Sequence, residues 1–196
     1  MIKEIGKVLP LHSKHKLPTP IVSGGDCTYC CLAGLLNQDI EFIYKLCVKY
    51  GVTEKYEPLT HEQGIPELLD KLIENNWLQG YIDHVPFWPQ QHLNIRSYGF
   101  AGHMYWKPWF DYISMAIDAN YYGILSINCY GTGGSNDHTV LLKGYRTRWV
   151  ENPNFKGSSM LNSELCISDP NKEDSGWFEC KDYLKNYGGY DVILVR

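Results

Sequence analysis

Three residues far apart in the chain have side chains that can act on one another chemically: Cys27, His138 and Asp169. A thiol is a strong nucleophile only as its thiolate, and the unpaired N–H groups and dipole of a helix N-terminus stabilise that anion. Cys27 opens the run CTYCCLAGLL directly after Ser23-Gly24-Gly25-Asp26. The glycine pair allows a tight approach that would leave its sulfur at the mouth of a cleft. Cys30 and Cys31, one turn on, are expected in the core. Such a cysteine needs an imidazole to exchange protons with, held in one tautomer by a third polar group. His138 follows GTGGSND and begins TVLLKGY, which places it at a strand end, fixed by a sheet yet able to reach a cleft. Asp169 ends the next strand, LCIS, and Pro170 behind it stops that strand by its missing N–H and fixed φ. Two adjacent antiparallel strand ends would bring Asp169 to His138. The chemistry expected is attack on a carbonyl, a thioester, and resolution by water or an amine.

The elements around these residues change character along the chain. Residues 1–26 read as an extended arm and turn. The helix that starts near Cys27 is apolar on nearly every side, as a helix in the middle of a domain is. A second helix, about Asp39 to Tyr50, has Ile40, Ile43 and Cys47 on one face and stops at Gly51, suited to a left-handed terminus. A third begins around Ile65 with Pro66 in its first turn and Leu68, Leu69, Leu72 and Ile73 inward. Pro108 is expected to open a further helix, with Trp109, Ile113, Ala116 and Ile117 on one face, ended by Tyr121-Tyr122-Gly123. Short β-type runs follow at Ile124–Cys129, His138–Leu142, Leu165–Ser168 and Val192–Val195, as strands of one antiparallel sheet. The stretch Asn152–Asn162 reads as a surface hairpin loop, and Trp177 and Phe178 as closing the core behind Asp169. Helices first and strands after imply an α+β fold in a single domain over residues 1–196, with 27–120 the helical half and 121–196 the sheet half.

Composition narrows the function classes. Hydrophobic residues at 44% and charged residues at 20% are ordinary for a globular protein, which disfavours disorder. A net charge of −4 without any Lys/Arg run disfavours nucleic acid as a partner. Nowhere do apolar residues run long enough to span a membrane, and the first residues lack a signal-peptide core, so a membrane role is not expected and a cytoplasmic location is. The odd count of seven cysteines fits no secreted disulfide framework and agrees with a reducing compartment. The aromatic residues concentrated in 77–112 either fill the core of a loop-rich region or line a substrate groove, with Trp106, His103 and Asp137 as groove candidates.

Rival motifs are weaker. Cys27-Thr28-Tyr29-Cys30 matches a C-x-x-C redox pair, but residues 1–26 show no strand-helix-strand pattern around it. A zinc site would need a second pair of ligands at short spacing, and none is present, so neither metal nor cofactor is expected. GTGGSND and SGGD lack the Gly-Lys-Ser/Thr of a phosphate loop. His103, in an aromatic-rich loop, is the rival imidazole and reads as structural or substrate-facing.

GGDCTYCCLAGLL, then NDHTVLLKGYR, then LCISDPN and a closing aromatic helix-strand segment resemble, in that order, the papain-like cysteine peptidases related to the bacteriocin-processing, double-glycine leader peptidases. The similarity spans most of the chain and includes the Gly64-Ile65-Pro66 helix start and the segment from Pro108 to Cys129 that precedes the histidine. The resemblance implies a papain-like fold, with Cys27 as nucleophile, His138 as general acid/base and Asp169 as the residue that orients the imidazole. It also implies a peptide or amide-containing substrate. The family usually supplies a Gln a few residues before the nucleophile, which donates to the oxyanion together with the cysteine N–H. No Gln precedes Cys27 here, so Ser23 and the N–H groups of residues 24–27 become the candidate donors, and Gln63, Gln79, Gln90 and Gln91 could substitute only by folding. Three readings therefore stand: a cysteine hydrolase, an acyltransferase using the same cysteine, and a module that keeps the scaffold for binding or regulation without efficient catalysis.

Overall fold

A computed structural model describes residues 4–11, 26–54, 59, 64–82, 98–127, 138–171, 176–187 and 191–196. Within them the chain forms β1 (Ile5–Val8), α1 (Cys27–Leu36), α2 (Ile40–Lys49), α3 (Gly64–Glu74), β2 (Tyr81–Ile82), α4 (Tyr98–Asp118), β3 (Tyr122–Ile127), β4 (His138–Glu151), β5 (Ser159–Ser168), β6 (Gly176–Glu179), α5 (Cys180–Tyr187) and β7 (Asp191–Val195). The class is α+β: helices and one antiparallel sheet in the order β2-β7-β3-β4-β5-β6, with β1 also paired to β4.

Strand alternation divides the core. Leu125 and Ile127 of β3, Val140 and Leu142 of β4, Leu165 and Ile167 of β5, and Val192 and Leu194 of β7 point to one face, where α4 and α5 cover them with Trp109, Phe110, Ile113, Ile117, Tyr183 and Leu184. Ile124, Ile193 and Val195, between those positions, point to the other face and pack with α1, α2 and α3. The sheet is thus sandwiched between helix layers, and α1 is enclosed because it lies between the sheet and α2. Tyr29, Cys30, Leu32 and Ala33 join the helix-side core, while Cys31 meets Leu141 and Leu11. Burying each such leucine stabilises the fold by about 1.5–3 kcal/mol.

Left-handed residues end the helices where the chain must turn. Asn37 (φ 53°) closes α1 with its N–H on the Ala33 carbonyl, Gly51 (φ 75°) follows α2, and Asn120 (φ 68°) follows α4.

Several boundaries differ from the sequence reading. α4 begins at Tyr98, so Pro108 sits inside the helix and does not open it. A proline there withholds an N–H from the carbonyl four residues back and costs about 3 kcal/mol. The burial of Trp109, Phe110, Ile113 and Ile117 beyond it offsets that cost. His103 accordingly lies in a helix and not in a loop. The loop read over Asn152–Asn162 is shorter, because Ser159–Asn162 are strand residues paired with Arg148–Glu151. The N-terminal arm contains β1, with Ile5 opposite Thr147 and Val8 opposite Gly144. Trp177 turns away from the core, and the Arg146 guanidinium stacks over its ring at 4.1 Å, while Phe178 packs on the α4 face against Tyr183. Among the described residues no helix is long and apolar enough to cross a membrane.

Candidate active site

Cys27 occupies the first position of α1, where helix geometry gives its N–H no acceptor within the helix. Asp26 precedes it as the N-cap, and the Asp26 carbonyl accepts from Cys30 N–H at 2.9 Å, closing the first turn. Cys27 is half-buried, whereas Cys30 and Cys31 are fully enclosed. The one thiol of this cluster that a substrate can approach is therefore the one at the helix start.

His138 is the first residue of β4, opposite Ile127 of β3. β5 stops at Ser168, whose partner is Leu141, and Asp169 follows directly. Ile127, Val140 and Ile167 face the α4 side, so alternation puts His138 and Asp169 on that same side, at the sheet's end. Their side chains meet there, with His138 Nε2 2.7 Å from Asp169 Oδ1. Both are largely withdrawn from water, at 6% and 13% side-chain exposure, so the charge-assisted bond is little screened. The Asn171 N–H donates to the same Oδ1 at 2.9 Å and fixes the carboxylate's orientation. With Nε2 committed to Asp169, Nδ1 is the ring nitrogen left for Cys27, whose thiol interacts electrostatically with His138.

Charge follows from these contacts. Burial alone would raise the Cys27 thiol, but the neighbouring His138 ring and the Thr139 side chain and backbone outweigh it and hold the thiol below its ordinary value. Burial alone would lower His138, but Asp169 and Cys27 outweigh that and raise it to about 9. Both directions favour the charged forms, imidazolium and thiolate, of the two neighbouring groups. The neighbouring thiols behave in the opposite way: burial, with Asp26 and Cys27 adding like charge, pushes Cys30 up to about 12, and burial likewise raises Cys31.

α1 is docked to β4 by two contacts that sequence reasoning missed. Thr28 Oγ1 lies 3.1 Å from Thr139 Oγ1, both buried, and the Cys31 thiol points at the Thr139 carbonyl with sulfur 3.8 Å from the oxygen. No spacing rule signals them, because a threonine after a strand-opening histidine reads only as a strand residue.

The other sequence candidates fall elsewhere. Ser23, Asp137, Gln63, Gln90 and Gln91 lie outside the described residues. Gln79 lines a cavity of about 370 Å³ with Leu35, Leu36 and Asn37, at the C-terminal end of α1 and so at the opposite end from Cys27, which excludes it as an oxyanion donor. Trp106 packs on the α4-side core, edge-on to Phe110 at 6.5 Å between centroids. Among the described residues no group of three or more His, Cys, Asp or Glu could hold a metal ion. The C-x-x-C pair lacks the βαβ surroundings of a redox site, since every described strand pair is antiparallel, and its second thiol is sealed in apolar core.

No protein-family model matches the chain, and no curated protein sequence matches it. Function therefore has to be argued from the geometry of Cys27, His138 and Asp169.

Proposed function

We propose that this chain is a cysteine hydrolase of papain-like fold that cleaves peptide or amide bonds. The observation that carries the proposal is the buried, Asp169-steadied imidazole beside a half-buried thiol at a helix start. The scaffold supports the reading in the same way as the sequence resemblance: a nucleophile helix packed on an antiparallel sheet, with histidine and aspartate on successive strand ends.

The reaction runs in two steps. The Cys27 thiolate attacks the carbonyl carbon, a C–S bond forms, the C–N bond breaks, and His138 gives its proton to the departing amine. Water then adds to the thioester, His138 takes the water's proton, and the sulfur leaves again as thiolate. Asp169 keeps its charge throughout and steadies whichever form of the imidazole is present. The N–H of Cys27 is one donor for the oxyanion. A second donor is worth about a hundred- to thousandfold in rate, so a chain without the upstream Gln is a slower enzyme unless another group supplies it. The described cysteines are free thiols, which supports a reducing compartment such as the cytoplasm.

The test is to mix purified protein with a peptide activated ester and measure the intact mass. The proposal expects an acyl adduct on Cys27 that decays in water, and none in Cys27→Ala. An adduct that forms equally in Cys27→Ala rejects it, and so does absence of any adduct on the native chain.

A further inference from the structure

We propose that Thr139 is a further catalytic residue, donating from its side chain and its backbone N–H to the Cys27 sulfur, with Thr28 as the positioning residue that orients the Thr139 hydroxyl.

The argument begins with strand lengths. The β4–β5 register ends at Leu141 opposite Ser168, and its continuation would set Pro170 opposite Thr139. Proline has no N–H to offer and the strand does not continue there, so the edge of Thr139 that would have faced β5 is released from the ladder. α1 takes it up. The Thr139 carbonyl receives the Cys31 thiol at 3.8 Å and the Thr139 hydroxyl meets that of Thr28, which sets Thr139 against the first turn of α1, beside Cys27. The proline that delivers Asp169 to His138 thus also frees the backbone donor for the nucleophile.

The hydroxyl has a defined direction. Thr139 Oγ1 and Thr28 Oγ1 are 3.1 Å apart in a dry site, with the two residues 4% and 2% exposed. A thiolate can only accept, so the Thr139 hydroxyl points its hydrogen at Cys27 and its lone pair at Thr28, and Thr28 is the donor of the pair. The result is a relay, Thr28 O–H to Thr139 Oγ1 and Thr139 O–H to Cys27 Sγ, ending on the atom that forms and breaks the bond to carbon. It stabilises the resting thiolate and again the thiolate that leaves when water resolves the thioester. The other titratable groups around this sulfur are Asp26, Cys30 and Cys31 on α1, His138 on β4 and Asp169 beyond β5. Of these only His138 has a proton to offer a thiolate without adding like charge, and Thr139, held by Thr28 and Cys31, is the neutral donor beside it.

This assignment rests on Cys27 being the nucleophile, and the experiment separates the two ideas. The rate of Cys27 alkylation by iodoacetamide is followed against pH, with the site read by peptide mass, in the native chain and in Thr139→Val, Thr139→Ser, Thr28→Val and His138→Gln. Thr139→Val should move the acid limb up by about one pH unit, a tenfold loss of thiolate at a fixed pH below it. Thr139→Ser should restore the native limb, and Thr28→Val should shift it the same way by less. Native limbs in both valine variants, with a shifted limb in His138→Gln, overturn the role of Thr139 and leave the nucleophile standing. An ordinary thiol profile for Cys27 in every protein, the native chain included, overturns the nucleophile itself. Should Thr139→Val fail to fold, Thr28→Val decides alone, since it leaves Thr139 and the β4 backbone in place.

Discussion

His138 Nε2 meets Asp169 Oδ1 at 2.7 Å from the ends of two hydrogen-bonded neighbours, β4 and β5. The contact is set by where each strand stops. Asp169 is the first residue after β5, held there by Pro170 and by the Asn171 N–H, and His138 is the first residue of β4.

Asp169→Asn keeps an acceptor beside the imidazole and removes the charge. Burial then weighs more heavily on His138, and its value should fall from about 9 toward the ordinary 6.5. The alkaline limb of turnover, where His138 loses the proton it gives to the leaving amine, should move down by roughly one unit or more. Stability changes with a fixed sign. A raised histidine contributes stability that is complete below pH 6.5 and is lost as pH rises through about 9. The native chain should therefore exceed Asp169→Asn in urea midpoint at pH 6, and the gap should close by pH 10.

Glu164 anchors the far half of the β4–β5 hairpin. Its side chain is 7% exposed and receives Arg146 Nε, Arg148 Nη2 at 2.8 Å and Asn162 Nδ2 at 3.1 Å. Burial would raise this carboxylate, but Arg148 and Arg146 outweigh it and lower it. Its contribution is present above the ordinary 4.5 and lost as pH falls through the lowered value. Glu164→Gln should cost about 2 kcal/mol at neutral pH, discounted because Arg148 is 40% exposed, and less at strongly acidic pH. Urea melts at the two pH values check this. The rate of Cys27 alkylation should not change, since the network lies along the hairpin away from the strand ends.

Gly6 is where β1 presses on β4. A Cβ there would lie 2.5 Å from the Tyr145 carbonyl oxygen and 2.6 Å from Arg146 Cβ, neither of which can give way without moving the strand. Gly6→Ala should therefore detach β1, with a loss of about 1–3 kcal/mol. In amide hydrogen exchange the protection of Lys7 and Leu9 should disappear while that of β3 and β7 remains.

The parts of this structure legible in the sequence are those where local pattern and tertiary role agree. α1 is apolar all round because it is enclosed all round, and Gly51 stands where a left-handed residue is required. Cys27, His138 and Asp169 stand out in the sequence because each sits at an element boundary marked by glycine or proline. β4 and β5 were read too short for a physical reason. Arg146, Arg148 and Glu164 form a charged cluster on one face of the hairpin, so the apolar signal fades after Leu142 although pairing continues to Glu151. β1 is four residues long and finds its partner far along the chain, which no local window contains. α4 was cut at Pro108 because a proline at a helix start and one inside a helix look alike until the burial beyond it is known. The contact between Thr28 and Thr139 was invisible, since it joins residues 111 positions apart.

The account stands most directly on the charge of one ring. In a nitrogen-15 NMR titration of the His138 imidazole, the structure predicts a cationic ring at pH 7 that loses its proton near pH 9, and an earlier loss in Cys27→Ala. A His138 ring that is neutral at pH 7, with the same titration in Cys27→Ala, would contradict the imidazolium–thiolate pair and the chemistry built on it.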